Sequence, residues 1–249
     1  MKTIKKLGGA VALAATMGVT PVAMADLSAN AAATSNYVWR GTTQTNNGAA
    51  VSGGIDYSAP FGVYAGTWVS NTTLVGSKGN VSQELDLYAG WTHEFGPVGF
   101  DVGVIRYGYP QSEDIDWIEG YVGASFSAGP VDLSAQVNVS NDVFGTDENG
   151  LYVEFSAETE VKGLTLAAHV GTYDFEFGDS DEVLAAGETY AGYDDYVDFS
   201  ISVSKDEFTF ALSNTTLSGN DTAGNPLFGL DDDPKIFVTW ASEWDLLKK

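Results

Sequence analysis

The decapeptide Val131–Ser140, VDLSAQVNVS, alternates apolar and polar residues without a break. Because a β-strand projects successive side chains to opposite sides, one face of this segment is wholly apolar and the other is wholly polar. The same alternation recurs in the segments 83–94 and 116–127. The chain is therefore predicted to be all-β, built from strands that each hide one apolar face.

The alternation defines twelve candidate strands after residue 25, separated by clusters of Gly, Pro, Asn and Asp. Most have about the 9–11 residues that a tilted strand needs to cross a bilayer. They cover residues 32–40, 49–57, 62–70, 83–94, 98–107, 116–127, 131–140, 151–160, 164–174, 195–204, 208–214 and 235–244.

The connections between these segments alternate between short and long. Tight joints lie at 58–61, 95–97, 128–130, 161–163 and 205–207. Longer polar joints lie at 41–48, 71–82, 108–115, 141–150, 175–194 and 215–234. Bacterial outer-membrane barrels have short periplasmic turns, long extracellular loops and an even number of strands. The rhythm predicts a single antiparallel up-and-down transmembrane β-barrel of about twelve strands.

The first 25 residues differ from the rest of the chain. Lys2, Lys5 and Lys6 precede the short apolar run Leu7–Met17, and the small-x-small triplet 23–25 follows it. This order is typical of a cleaved secretory signal peptide. We therefore divide the chain into a signal peptide, 1–25, and an outer-membrane barrel domain, 26–249, of a Gram-negative bacterium.

Composition narrows the range of functions. Without the three lysines of the signal, 8 Lys and Arg face 34 Asp and Glu, a net charge of 8 − 34 = −26. Such a surface repels nucleic-acid backbones, so no nucleic-acid partner is expected. The chain has no cysteine, which excludes disulfides and thiolate metal sites. Hydrophobic residues make up 44% of the chain and aromatic residues 12%, enough for a folded protein rather than a disordered one.

Aromatic residues are placed as in the interfacial girdles of membrane barrels. Several flank the tight joints, namely Tyr57, Phe61, Phe95, Phe100, Phe126 and Phe208. Trp39 and Tyr107 lie at the opposite ends of their predicted strands. Taken together, these positions favour a membrane barrel over a secreted soluble sandwich, although a sandwich would also show alternation.

The polar strand faces carry charged side chains that suit a water-filled lumen. The candidate lumen-lining and selectivity residues are Glu84, Asp86, Asp101, Glu119, Asp132, Glu154, Asp198, Arg40 and Arg106. The two arginines have two open interpretations: an internal salt-bridge brace, or a selectivity element at a constriction. The same carboxylates would also fit the solvated face of a soluble sandwich.

No pattern of catalytic or metal-binding residues stands out. His93 lies near a tight turn and His169 falls on the likely inner face, and neither has partners at metal-ligand spacing. A Ser–His pair would need a third orienting group, which a lumen carboxylate beside His169 could supply. The acidic runs 179–182 and 231–233 lack the frame of a calcium loop, so solvated charge is favoured over Ca²⁺ or Mg²⁺ bridging to lipopolysaccharide. No enzyme activity, cofactor or metal is expected.

Three motifs resemble a known family. They are Ser35–Gly41 (SNYVWRG), Gly53–Tyr57 (GGIDY) and Gly62–Asn71 (GVYAGTWVSN). They are similar to the TorF family of proposed porins, a proteobacterial outer-membrane family of unassigned activity. The resemblance is most specific over residues 30–110 and implies an outer-membrane barrel with a porin role. It supplies no substrate and no functional residues.

The sequence therefore predicts an outer-membrane porin for passive diffusion of small solutes, with an acidic, cation-preferring lumen. Its expected partners are outer-membrane lipid, lipopolysaccharide and small solutes, with oligomeric state left open. The alternative is a non-conducting barrel that serves adhesion or envelope structure.

Overall fold

The computed structural model describes residues 25–76, 79–145, 149–175, 195–217 and 233–247. The strands are β1 Asp26–Thr34, β2 Val38–Trp39, β3 Thr42–Thr43, β4 Ala50–Ser58, β5 Val63–Gly76, β6 Gly79–Phe95, β7 Val98–Gly108, β8 Trp117–Ala128, β9 Val131–Ser140, β10 Gly150–Val161, β11 Leu164–Phe175, β12 Tyr196–Lys205, β13 Phe208–Thr215 and β14 Lys235–Asp245. In these ranges the helices are two short 3₁₀ turns, Glu113–Ile115 and Val143–Gly145. No described helix is long and apolar enough to span a bilayer.

Twelve of the strands form one closed antiparallel barrel. The strands β4 to β14 follow one another around the wall in chain order, and β1 closes the ring by pairing with both β4 and β14. We call the pairing of β1 with β14 the seam; it joins Ser28 to Asp245 and Thr34 to Thr239. The predicted fold is confirmed, and the closed ring excludes the sandwich of two stacked sheets.

The apolar strand faces point outward. Val122, Val137 and Phe199 retain 56%, 38% and 46% of their surface on the outside of the barrel. An outward band of apolar side chains would be unfavourable in water. In lipid it is the expected arrangement, because the closed ring of strands satisfies the backbone hydrogen bonds. The six predicted girdle aromatics beside the tight turns are also exposed: Tyr57, Phe61, Phe95, Phe100, Phe126 and Phe208. His93 lies among them, stacked on Trp91 at a ring distance of 5.2 Å.

Strand prediction failed at the first long connection. The strand predicted over 32–40 is wrong, because β1 spans Asp26–Thr34 and the chain then leaves the wall. Residues 35–49 connect β1 to β4, and within this connection β2 and β3 form a small hairpin that enters the barrel. We call this segment the inserted hairpin. Its residues 36–45 are all buried.

Two other expectations also need correction. The predicted loop 71–82 is mostly strand, because β5 and β6 continue their pairing to Gly76 and Gly79, with a bulge after Asn71. Trp39 and Tyr107 are not girdle residues, since both are buried inside the barrel at 7% and 5% exposure. Residues 1–24 of the predicted signal peptide 1–25 lie outside the described residues, as do the acidic run 179–182 and positions 231 and 232 of the second acidic run.

Candidate functional site: a hairpin inserted into an acidic lumen

The tip of the inserted hairpin is a two-residue turn, Arg40–Gly41, with positive φ angles of 44° and 78° at the two residues. Two-residue hairpins prefer this handedness because it matches the twist of the flanking strands, and they usually place Asn or Gly at both positions. An arginine with positive φ is uncommon and costs backbone energy. The surrounding contacts must therefore hold Arg40 in place.

Arg40 reaches the wall of the barrel that faces β1. Its Nη1 donates to Glu119 Oε1 at 2.7 Å and its Nη2 donates to Glu119 Oε2 at 2.9 Å. The two side chains retain only 4% and 2% of their exposure. Charge-assisted bidentate pairs of this kind are among the stronger hydrogen bonds in proteins. Tyr107 Oη donates a further hydrogen bond to Glu119 Oε2 at 3.1 Å.

Aromatic rings surround the same guanidinium. The Arg40 Cζ lies 3.9 Å from the ring centre of Tyr152, 4.4 Å from that of Trp39 and 4.9 Å from that of Tyr173. All three distances fall within the range of a cation–π contact. Trp39 also packs edge-on against Trp117 and Tyr107 at about 6 Å. The hairpin tip is thus fixed between wall strands β7, β8, β10 and β11.

Further contacts attach the rest of the inserted hairpin. Tyr37 Oη donates to Glu84 Oε1 at 3.1 Å. Burial raises the pKa of the Tyr37 hydroxyl well above its ordinary value, and the Glu84 carboxylate acts in the same direction, so Tyr37 stays a donor. Thr73 N–H on β5 donates to the Gln44 carbonyl at 2.8 Å. Val38 packs with Ala211 and Phe237 on the inner face of β13 and β14.

Gly41 provides a direct test of this packing. A Cβ at this position would lie 2.7 Å from the Asp198 Cβ on β12 and 2.8 Å from the Thr215 Cβ on β13. We expect Gly41→Ala to lower the free energy of unfolding by about 1–3 kcal/mol, through overpacking and the positive φ. Urea unfolding in lipid vesicles would measure the loss. Gly163→Ala also has a positive φ but no neighbour within 4 Å, so it isolates the backbone cost.

The structure places eight of the nine predicted site residues on the inner side. Glu84, Asp86, Glu119, Glu154, Asp198 and Arg40 are buried around the inserted hairpin. Asp101 is half-buried nearer the tight turns, and Asp132 faces inward but is exposed at that end of the barrel. Arg40 comes from the hairpin rather than from a wall strand, so the predicted strand position was wrong.

Arg106 does not lie in the lumen. On β7 it alternates with the inward residues Ile105 and Tyr107, and its side chain keeps 44% exposure on the outer face. It pairs with Asp116 near the end of the barrel that carries the long loops. The predicted lumen position of Arg106 is therefore wrong. Lys235, which was not singled out, is instead buried on the inner face of β14.

His169 lies between two carboxylates of neighbouring strands. Its Nε2 is 3.0 Å from Asp198 Oδ1, and its Nδ1 is 3.4 Å from Glu154 Oε2. Tyr152 Oη donates to Asp198 Oδ2 at 2.9 Å, so the same network holds the ring that contacts Arg40. Among the residues that the structure describes, no group of three or more His, Cys, Asp or Glu could hold a metal ion.

Ser156, His169 and Asp198 are in contact in that order, which invites comparison with a hydrolase. Ser156 Oγ lies 3.3 Å from His169 Nδ1, the nitrogen that also faces Glu154. Ser156 pairs with His169 on one side and with Ser134 on the other, within regular strand ladders. Backbone N–H groups committed to such ladders are not free to stabilise an oxyanion, as acyl transfer would require. We interpret the cluster as part of the support for Tyr152.

Nearer the tight turns, tyrosines and carboxylates form a second network. Tyr64 Oη donates to Asp101 Oδ1 at 2.7 Å and also contacts the Tyr121 hydroxyl, while Tyr88 Oη donates to Asp56. Asp101 and Asp56 are only half-buried. This part of the lumen therefore presents carboxylates to water.

Comparison with known proteins agrees with this architecture. The KdgM porin superposes with a TM-score of 0.53 at 8% sequence identity, over 87% of this chain and 98% of that one. The NanC porin gives a TM-score of 0.49 at 10% identity, over 89% of this chain and 100% of that one. The closed twelve-stranded barrel of this chain is thus similar in fold to the KdgM porin.

The family is shown by the sequence itself. Residues 18–225 match the model of the family described as "Bacterial protein of unknown function (Gcw_chp)", and the chain belongs to that family. No curated protein matches the sequence. The resemblance to the TorF family is not confirmed by these comparisons.

Proposed function

We propose that this protein is an outer-membrane channel for small solutes, with a lumen narrowed by the inserted hairpin and selective for cations. The observation that carries the proposal is the acidic inner wall. Buried Glu84, Asp86, Glu154 and Asp198 surround the hairpin, and the half-buried Asp56 and Asp101 face the lumen nearer the tight turns. Rings of carboxylates favour cations over anions because a permeating cation offsets their charge.

The proposal extends to location and chemistry. The outward apolar band and the exposed aromatics beside the tight turns support an outer-membrane position, reached after removal of the predicted signal peptide 1–25. A passive channel needs no cofactor, and the Ser156–His169–Asp198 contact lacks the donors of a hydrolase. Outer-membrane lipid, lipopolysaccharide and small solutes are the proposed partners. The chain is proposed not to be an enzyme.

Ion selectivity tests the charge argument. In a planar bilayer under a salt gradient, the reversal potential is expected to show cation preference. Changing Asp56 and Asp101 together to Asn should reduce that preference, because it removes charge from the accessible lumen. Asp206→Asn, at a tight turn outside the lumen, is the matched control and should leave the reversal potential unchanged. Anion preference in the unaltered protein would contradict the proposal.

A second function has one observation in its favour. The inserted hairpin buries residues 36–45 inside the barrel, which is the arrangement expected of a closed, non-conducting envelope or adhesion protein. Replacing residues 36–45 with a short Gly/Ser linker separates the two functions. A channel should conduct more after the replacement. If the folded linker variant and the unaltered protein both fail to conduct, the non-conducting alternative replaces the channel.

A further inference from the structure

The guanidinium of Arg40 lies in what is, in chemical terms, a binding site for an organic cation. Glu119 receives its two N–H groups through two oxygens, and the rings of Tyr152 and Tyr173 lie against its faces. Planar bidentate donation combined with aromatic stacking is the recognition mode specific to guanidinium. Arg40 belongs to the inserted hairpin, whereas Glu119, Tyr152 and Tyr173 belong to the wall.

The wall side of this site is held in place without help from Arg40. Tyr107 donates to Glu119 Oε2 at 3.1 Å, and Tyr152 donates to Asp198 Oδ2 at 2.9 Å. These hydrogen bonds join wall strands to one another and hold Glu119 and Tyr152. Tyr173 is held by ring packing against Tyr152 and Tyr196 at 5.4 and 5.8 Å, so withdrawal of the hairpin tip would leave the carboxylate and the two rings in position. A site already held in its bound geometry binds more tightly, since less freedom is lost on association.

We propose that Glu119, Tyr152 and Tyr173 form a binding site for the guanidinium group of a solute, and that Arg40 occupies it as an internal competitor. The inference rests on the proposed channel function, because it names the class of solute. A guanidinium solute that displaces Arg40 would release the hairpin tip, so the solute would favour the open lumen. A ligand can shift the equilibrium between the inserted and the released hairpin tip only by the difference between its binding free energies for these two states.

The charge and shape of the site exclude other classes of solute. Besides Glu119, the site is adjoined by Asp198, which accepts a hydrogen bond from Tyr152, and by Glu154, which contacts His169 in the same network, so an anion would be repelled. A metal ion or an ammonium group lacks the planar fork that matches both Glu119 oxygens. Urea has the same planar shape without the charge. We expect the site to bind guanidinium at least about tenfold more tightly than urea, because cation–π and charge-assisted contacts strengthen on desolvation.

Chemical rescue tests the site directly. In the full-length Arg40→Ala variant, refolded in detergent, millimolar guanidinium chloride should raise the thermal unfolding temperature relative to sodium chloride at equal ionic strength. Urea at the same concentration should not. Arg106→Ala removes the outward-facing arginine and is the matched control. It should show no stabilisation specific to guanidinium.

Two further variants keep the test decisive. Changing Glu119 to Gln in the Arg40→Ala background should abolish the response to guanidinium, which places the effect at this site. If Arg40→Ala does not fold in sodium chloride but folds with guanidinium, the proposal is supported. If it folds in neither salt, Arg40→Lys is measured instead, since it keeps the charge but not the planar fork. A folded Arg40→Ala or Arg40→Lys protein that responds equally to guanidinium and sodium overturns the proposal.

Bilayer recording distinguishes this inference from the channel function. If Arg40→Ala carries a steady sodium current that guanidinium slows or blocks at millimolar concentration, both are supported. A steady sodium current without any specific guanidinium effect overturns the solute assignment and leaves the channel in place. Thermal rescue in a protein that never conducts would overturn the channel function and retain the guanidinium site.

Discussion

The Arg40→Ala protein is expected to unfold with a free energy lower by about 3–5 kcal/mol than the unaltered protein, in urea titrations on lipid vesicles. The reason is the burial of Glu119, whose carboxylate is 2% exposed and has its charge compensated by Arg40. Removal of one partner leaves an uncompensated charge in a site poor in water. The loss of three ring contacts to the guanidinium adds to the cost.

A double-mutant cycle separates the pair from other effects. Glu119→Gln alone should be similarly destabilising, and the combined variant should lose less than the two single losses added together. The pair of Arg106 and Asp116 is the control: the Arg106 side chain is 44% exposed, and ion pairs open to solvent contribute about 0–1 kcal/mol. Additive losses at Arg40 and Glu119 would show that the two side chains do not depend on each other.

The second large effect is expected on the outer face. Val122→Arg should destabilise the folded barrel by about 2–4 kcal/mol in a bilayer, because the charge would face hydrocarbon near the middle of β8. Val122 is 56% exposed on that face and pairs with Val102 and Val137 on the neighbouring strands. Equilibrium folding into vesicles of defined composition measures the difference.

Ser125→Arg provides the comparison on the same strand. Ser125 lies three residues further along β8, on the inner side and exposed to the lumen. An arginine there should cost much less, since it can reach water and the lumen carboxylates. Equal costs at Val122 and Ser125 would mean that the outward face does not contact lipid.

Most strands of the barrel wall could be predicted, because a two-residue alternation of polarity indicates both that a segment is a strand and which of its faces points outward. The segment 131–140 coincides with β9, and most other predicted strands end within a residue or two of the observed ones. The alternation of short and long connections then indicated that the strands follow one another up and down around the barrel. Neither signal depends on contacts between distant residues.

The first strand was misplaced because alternation does not say what a strand pairs with. β1 does alternate, but the apolar residues of Asp26–Thr34 are mostly small alanines, whereas residues 37–39 (Tyr-Val-Trp) are large and apolar and drew the predicted strand toward them. The aromatic segment is nonetheless inside the barrel, as the hydrogen bond from Tyr37 to Glu84 shows. Period two is shared by a strand in the wall and a hairpin in the lumen, so the sequence pattern alone could not separate them.

For the candidate site, the sequence could predict which residues face the lumen but not which residues they pair with. Phase along the strands indicated that Glu84, Glu119 and Asp198 face inward, yet the pairing of Glu119 with Arg40 joins residues 79 positions apart. Arg106 was predicted to lie on the polar side of its strand, which is wrong. Arg106 lies five residues after the inward-facing Asp101, and because side chains alternate along a strand, it faces outward.

The seam between β1 and β14 has a consequence for the order of assembly. The hairpin follows β1 directly, but its tip binds β8, β10 and β11, which come later in the chain, and the ring is sealed only when Ser28 meets Asp245. Joining such distant segments is slow, because the entropy of closing the intervening chain opposes it. The contacts of the hairpin tip can therefore form only once β8, β10 and β11 are in place, so a segment made among the first is among the last to reach its final partners.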